Sequence, residues 1–308
     1  MKHNMAAFLC VASNMVLAQD TTMAIYKRVY TMPTAIVRSN IDVPQLIRMV
    51  QQDTTFYKAF KNLKVLSYTA INDIEMHNKH STPIATLHST TKQVRTGNCR
   101  VTQVVQEAIT GNFYTKQKAY NYYTAELYAA LFWVPTQQCN ETNIIGNTDL
   151  QVQGKSGTER HKQQLKNLFF NPGSKVQGIP LMGNKAALYS TDLSAYYNST
   201  IDYETYLGTS CYKFTTQAKP NLTKAQRSNI VIDEMISWFS TNTLAIIGRT
   251  YTLSYSAGVY DFKVSMQVDM GTYNGLTVPK LIRYVGNWDV AFKKRERGIF
   301  TAILYDFK

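Results

Sequence analysis

The sequence predicts an α+β fold: a curved antiparallel sheet of about ten strands wrapped around two or three helices. Three observations predict it. The last third divides into strand-like runs at 201–207, 210–217, 229–240, 244–256, 259–270, 276–288 and 298–307. Most are joined by short polar or glycine-bearing links, which favour antiparallel neighbours. In one run Tyr260, Phe262, Val264, Met266, Val268 and Met270 alternate with Asp261, Lys263, Ser265, Gln267 and Asp269. A period of two puts every apolar member on one face, and that face must be covered. Two upstream stretches with helical apolar spacing supply the cover.

From the start, residues 24–41 read as an extended lead-in without clear periodicity. Asp42-Val43-Pro44 starts a helix, with a capping residue followed by proline in the first turn. Val43, Leu46, Ile47, Val50, Tyr57 and Phe60 follow at helical spacing, and Asp53-Thr54-Thr55 breaks the helix or caps its second half. Leu66, Tyr68, Ala70, Ile74 and Met76 alternate as a strand that Asn72 interrupts, and His77-Asn78-Lys79 turns the chain. Strands at 83–94 and 100–109 come next, then a turn at Gly111-Asn112. A short helix spans 124–133, with Thr124 as its cap and Glu126 in its first turn. Residues 137–157 are a polar loop, 158–170 an amphipathic helix closed by Asn171-Pro172-Gly173, and 193–197 a helical turn.

The first residues have the layout of a secretory signal: a cationic start, an apolar stretch over 5–18, and small residues at Val16 and Ala18. Residues 1–18 are therefore expected to be a cleaved signal peptide and 19–308 a single exported domain. No stretch is long and apolar enough for a transmembrane segment in the mature chain. The formal charge of +13 suits an anionic lipid or acidic polysaccharide, and export argues against nucleic acid. The densest basic run, Lys293-Lys294-Arg295-Glu296-Arg297, reads as a solvated hairpin end.

Catalytic signatures are missing, so no catalytic residue, no cofactor and no enzyme activity is expected. His77 and His80 sit at a turn and read as solvated rather than as metal ligands. Asp233 and Glu234 are adjacent in a strand and point to opposite faces, which prevents joint acid–base work. Glu234 is expected to pair with Arg249 across the sheet. Cys99 and Cys139 both lie at element ends in an exported chain, so a Cys99–Cys139 disulfide is expected, with Cys211 buried and reduced. The 21 tyrosines have two readings, plain cross-strand packing or the lining of an apolar cavity. On the second, Tyr260, Phe262, Val264, Met266, Val268, Met270, Trp238 and Tyr251 are the cavity candidates.

Residues 202–288 resemble the second half of the periplasmic lipoprotein-carrier (Lol-type) superfamily. The resemblance rests on Ser210-Cys211-Tyr212-Lys213-Phe214, on Ile232-Asp233 to Trp238, and on Ala245-Ile246-Ile247-Gly248-Arg249. It continues in Gly275-Leu276-Thr277-Val278-Pro279, which leads to Ile282-Arg283-Tyr284. It implies an unclosed barrel covered by helices around a lipid cavity, with residues 137–198 as an insertion. The runs Tyr120 to Tyr128, Phe170 to Gly173, Gly183-Asn184-Lys185, Tyr260-Asp261-Phe262, Gly286-Asn287-Trp288 and Lys293 to Glu296 resemble uncharacterised exported proteins of Bacteroidetes-type bacteria. The expectation is a periplasmic or outer-membrane-associated binding protein for an apolar or lipidated ligand. The alternative is a non-enzymatic cell-envelope structural or assembly protein with a protein or glycan partner.

Overall fold

The computed structural model describes residues 20–25, 28–33, 42–146, 167–175, 183–257, 260–290 and 294–308. The expected signal peptide, most of the expected 158–170 helix and the Gly258 link lie outside the described residues. The chain is mostly sheet, 53% strand and 19% helix. Among the described residues thirteen strands form one sheet, three more than the sequence suggests. They are β1 (Asp20–Ile25), β2 (Arg28–Pro33), β3 (Tyr68–His77), β4 (Pro83–Thr96), β5 (Cys99–Gly111), β6 (Gln138–Cys139) and β7 (Tyr197–Tyr206). After them come β8 (Thr209–Ala218), β9 (Ile232–Ser240), β10 (Ile246–Ala257), β11 (Tyr260–Tyr273), β12 (Leu276–Val290) and β13 (Glu296–Tyr305).

The spatial order is β1-β2-β7-β8-β9-β10-β11-β12-β13-β3-β4-β5-β6. Two antiparallel meanders, β3–β6 and β7–β13, therefore meet where the last strand pairs with β3. The β1–β2 hairpin joins the other end through a short parallel contact of β2 with β7. Its second strand lies in the lead-in, where β2 buries Arg28, Tyr30 and Met32 and so alternates by burial although not by polarity. Between β11 and β12, Asn274 and Gly275 both take positive φ, the two-residue turn that matches strand twist and that glycine adopts without strain.

Register fixes one continuous row on the inner face: Met235, Tyr251, Met266, Tyr284, Phe300, Ile74, Leu87 and Ile109 are successive cross-strand partners from β9 to β5. All but Ile109 are buried. Over this face lie α1 (Val43–Gln51), α2 (Thr55–Asn62) and α3 (Tyr123–Phe132). The α1 start is the local one expected, with the Asp42 side chain accepting from the Gln45 N–H at 2.9 Å and proline in the first turn. Its stripe Val43, Leu46, Ile47 and Val50 is buried, as are Phe56, Ala59 and Phe60 of α2, which packs on β12.

The α3 start differs from expectation. Thr124 does not cap it; the helix begins at Tyr123, and its free N–H groups are taken by a carboxylate from β13. Tyr123 and Thr124 donate their N–H groups to Glu296 at 2.8 and 2.7 Å. An anion at a helix N-terminus satisfies orphan donors and complements the helix dipole. Glu296 belongs to the basic run read as a solvated hairpin end, so one member of that run is structural. Arg295 of the same run pairs with Asp261 and Asp289.

Asn72, which interrupts the β3 alternation, faces inward and is buried. It accepts from the Tyr128 hydroxyl at 2.6 Å and donates to Thr91 Oγ1 at 3.0 Å, so the polar group is compensated rather than excluded. The expected Glu234–Arg249 pair is not formed. Arg249 lies opposite Ser237, on the inner face, whereas Glu234 lies opposite Thr252 on the other. Arg249 instead reaches the helix junction and binds Asp53 at 2.9 Å, with both side chains 4% exposed. Its Nε donates to Ser237 Oγ at 2.8 Å, and its guanidinium lies 4.5 Å from the Phe56 ring centre. Asp53 also accepts the Thr55 N–H at 2.8 Å, which starts α2. The residue that separates α1 from α2 thus fastens both to the sheet.

Candidate ligand-binding site

Where the two covering helices reach the β3–β5 end of the sheet, they leave a cavity of about 220 Å³. Its apolar walls are Tyr57 and Phe60 of α2, Leu63 just after it, Tyr68 of β3, and Phe170 from a helical turn at 167–170. The end of α3 adds Ala130, Leu131 and Phe132, and Trp133 and Val134 follow. Phe170 packs on both Phe60 and Phe132, with ring centres 4.4 and 5.8 Å away. The buried Nε1 of Trp133 has no hydrogen-bond partner. An indole N–H hidden from water without an acceptor is costly.

The rim is charged. Lys61, Lys64 and Arg100 line it together with Glu141. Glu141 accepts from Arg100 Nε at 2.6 Å and from Lys64 Nζ at 2.7 Å. Beneath them Arg100 donates to Gln93 Oε1 at 2.7 Å, and Gln93 Nε2 donates to the Leu63 and Leu66 carbonyls at 2.6 Å each. Partial burial pushes the Glu141 carboxyl up, but the hydrogen bonds and charges of Arg100 and Lys64 outweigh it and bring its pKa down to about 2. Burial raises the Tyr68 hydroxyl to about 12, against a lowering pull from Arg100.

A depressed carboxylate stabilises the fold above its unfolded pKa and loses that contribution as pH falls through the folded value. The Glu141→Gln variant is therefore expected to be less stable than wild type near neutrality. That gap should shrink as the pH drops from 4.5 towards 2. Thermal melts of the two proteins across this range check it, and a gap independent of pH contradicts it.

Glu141 sits on a strap. Cys99 and Cys139 form a disulfide across β5 and β6, 40 residues apart in sequence. Two residues past Glu141, Asn143 Nδ2 donates to Asn62 Oδ1 at 2.9 Å, and Lys58 Nζ donates to the Asn143 carbonyl. The strap is thus tied to the sheet edge at one end and to α2 at the other. Cys211 is free and buried.

The cavity candidates read from the sequence are placed differently. Phe262, Val264, Met266, Val268 and Met270 are all buried on the inner face with Tyr251. They do not line this cavity. The 167–170 turn lies over that part of the sheet instead: Tyr251 donates its hydroxyl to the Phe169 carbonyl, and Phe169 meets the Tyr284 ring at 5.7 Å. Trp238 faces the opposite side of the sheet. It lies opposite Gly248, not Tyr251, stacks on Tyr206 at 4.1 Å and donates to Glu204. Of Tyr260, only the strand position is described. Val264 also touches an open depression of about 320 Å³ on the outer face, beside Lys263, Val285 and Arg297.

The rim residues were not singled out from sequence, although one signal was available. Once Cys99 and Cys139 are joined, their near neighbours Arg100 and Glu141 lie side by side with opposite charges. His77 binds Glu75 Oε2 at 2.9 Å and lies 3.0 Å from the Ser81 carbonyl. Among the described residues no three His, Cys, Asp or Glu side chains converge to hold a metal ion. Among the same residues, no helix is long and apolar enough to cross a membrane.

No protein-family model matches the chain, and no curated protein matches its sequence. Among solved structures it is similar to a DUF1329 family protein from Desulfovibrio piger, with 11% identity and a TM-score of 0.25, over 83% of this chain and 93% of that one. It is also similar to a domain described as an outer membrane lipoprotein-sorting protein from Vibrio parahaemolyticus. There the identity is 9% and the TM-score 0.28, over 79% of this chain and 84% of that one. A third is lipovitellin, from a structure concerned with lipid–protein interactions, at 10% identity and a TM-score of 0.25. That match spans 79% of this chain but 25% of the other. These are distant likenesses.

Proposed function

We propose that this chain is a periplasmic or outer-membrane-associated binding protein for an apolar or lipidated ligand, with a part in lipid or lipoprotein handling. The observation that carries the reading is the aromatic cavity of about 220 Å³ beneath α2 and α3, with a charged rim. Apolar walls with a few placed polar groups are what a small-molecule binding site needs. The reading calls for no cofactor and no reaction. Its place in the cell rests on the signal-like first residues.

A fluorescent fatty acid titrated into the mature protein is expected to bind saturably. Ala130→Trp places an indole in the cavity and is expected to weaken that binding at least about tenfold, since it removes the space a ligand needs. Circular dichroism should stay unchanged. Wild-type affinity in a folded Ala130→Trp protein would show that the ligand, if bound, sits elsewhere.

A second reading, an envelope assembly partner, is favoured by the sheet edge. Residues 103–111 of β5 are all exposed, Val104 and Val105 by 55% and 64%, and no described strand pairs with their free side. Such an edge is a template for another strand. Stable association with an envelope protein, in the absence of any apolar ligand, would favour this reading over the first.

A further inference from the structure

The cavity's rim holds a feature that plain apolar binding does not require. Arg100 and Lys64 share the single carboxylate of Glu141, so these three groups leave one positive charge in excess beside an apolar chamber. The two oxygens of Glu141 are divided between two donors, Oε2 on Arg100 and Oε1 on Lys64. Such a two-oxygen, two-cation seat fits any carboxylate of similar placement. Glu141 hangs from the middle of a strap fastened at Cys139 and Asn143, so its side chain can leave the seat while the strap stays in place. The Arg100 guanidinium would remain oriented by Gln93 after the exchange.

We infer that the ligand is a single-chain amphiphile with a carboxylate head, that Arg100 and Lys64 are the seat for this head, and that Glu141 occupies the seat as a displaceable latch when the cavity is empty. The inference rests on the proposed apolar-ligand reading and narrows it to one chemical class. The head enters where Glu141 leaves, and the tail lies along Phe60, Phe132 and Trp133. The exchange keeps two charge-assisted contacts in place, so it asks little of the rim. What drives it is burial of the tail.

The test compares decanoate with decanol, which share a tail and differ in the head, by titration calorimetry on the mature protein. In wild type the head only replaces Glu141 in the seat, so decanoate and decanol are expected to bind with similar affinity. Glu141→Gln removes the competitor and is expected to raise decanoate affinity about tenfold, with decanol unchanged. In the Glu141→Gln protein, Lys64→Met is expected to lower decanoate affinity far more than decanol affinity, and it spares the Arg100–Gln93 contact in case an Arg100 variant fails to fold. Equal affinity of the Glu141→Gln protein for the two ligands, or a decanoate affinity that Glu141→Gln leaves unchanged or lowers, would overturn the inference while leaving the apolar pocket standing. Failure of both ligands to bind wild type would overturn both.

Discussion

Replacing Arg249 with alanine is expected to destabilise the protein by about 3–5 kcal/mol, the range for removing one partner of a buried ion pair. The size follows from what is left behind. Asp53, 4% exposed, would lose the cation it binds, while its contact with the Thr55 N–H at the start of α2 ties it in place. Ser237 would lose its donor and Phe56 the guanidinium on its face. Replacing both charges, as Arg249→Met with Asp53→Asn, is expected to recover part of the loss, because no buried charge is then uncompensated. Urea denaturation of the single and double variants checks this. A loss below about 1 kcal/mol for Arg249→Ala would place the pair in the range of an ordinary solvated ion pair and contradict the buried clamp.

The disulfide gives the second large effect. Changing Cys99 and Cys139 together to serine is expected to lower stability by about 3–4 kcal/mol, from the entropy of a loop of this length in the unfolded chain. The functional consequence is local. The strap carrying Glu141 would keep its Asn143 tie to α2 and lose its tie to β5. Amide hydrogen exchange is therefore expected to accelerate over the strap and the start of β5 while the β9–β13 meander stays protected. Thiol titration of the unfolded, unreduced wild type should find one free thiol, Cys211. Three free thiols, or uniform exchange in the serine variant, would contradict this account.

The parts of this structure that were legible in the sequence are those set by neighbours along the chain. The alternation of Phe262 to Met270 gave the buried face of β11, the glycine-bearing link before 276 gave a hairpin whose turn is Asn274-Gly275, and Asp42 with Pro44 gave the start of α1. A strand's period says which residues share a face, but not which face is inward. That depends on register with the next strand, which places Met235 rather than Trp238 opposite Tyr251. Contacts between distant segments were invisible for the same reason. Glu296 caps a helix 172 residues earlier in the chain, and Arg249 holds a carboxylate 196 residues away. The cavity itself exists because α2, α3, the 167–170 turn and the edge of the sheet meet imperfectly, and no local pattern encodes a gap of that kind.

The most direct test of the central claim is native mass spectrometry of the mature protein purified gently and without detergent. The binding account predicts, beside the bare chain, a species heavier by the mass of a lipid or other apolar molecule, and predicts its loss in Ala130→Trp. A bare mass alone in the wild type, together with no uptake of the fluorescent fatty acid, would contradict it.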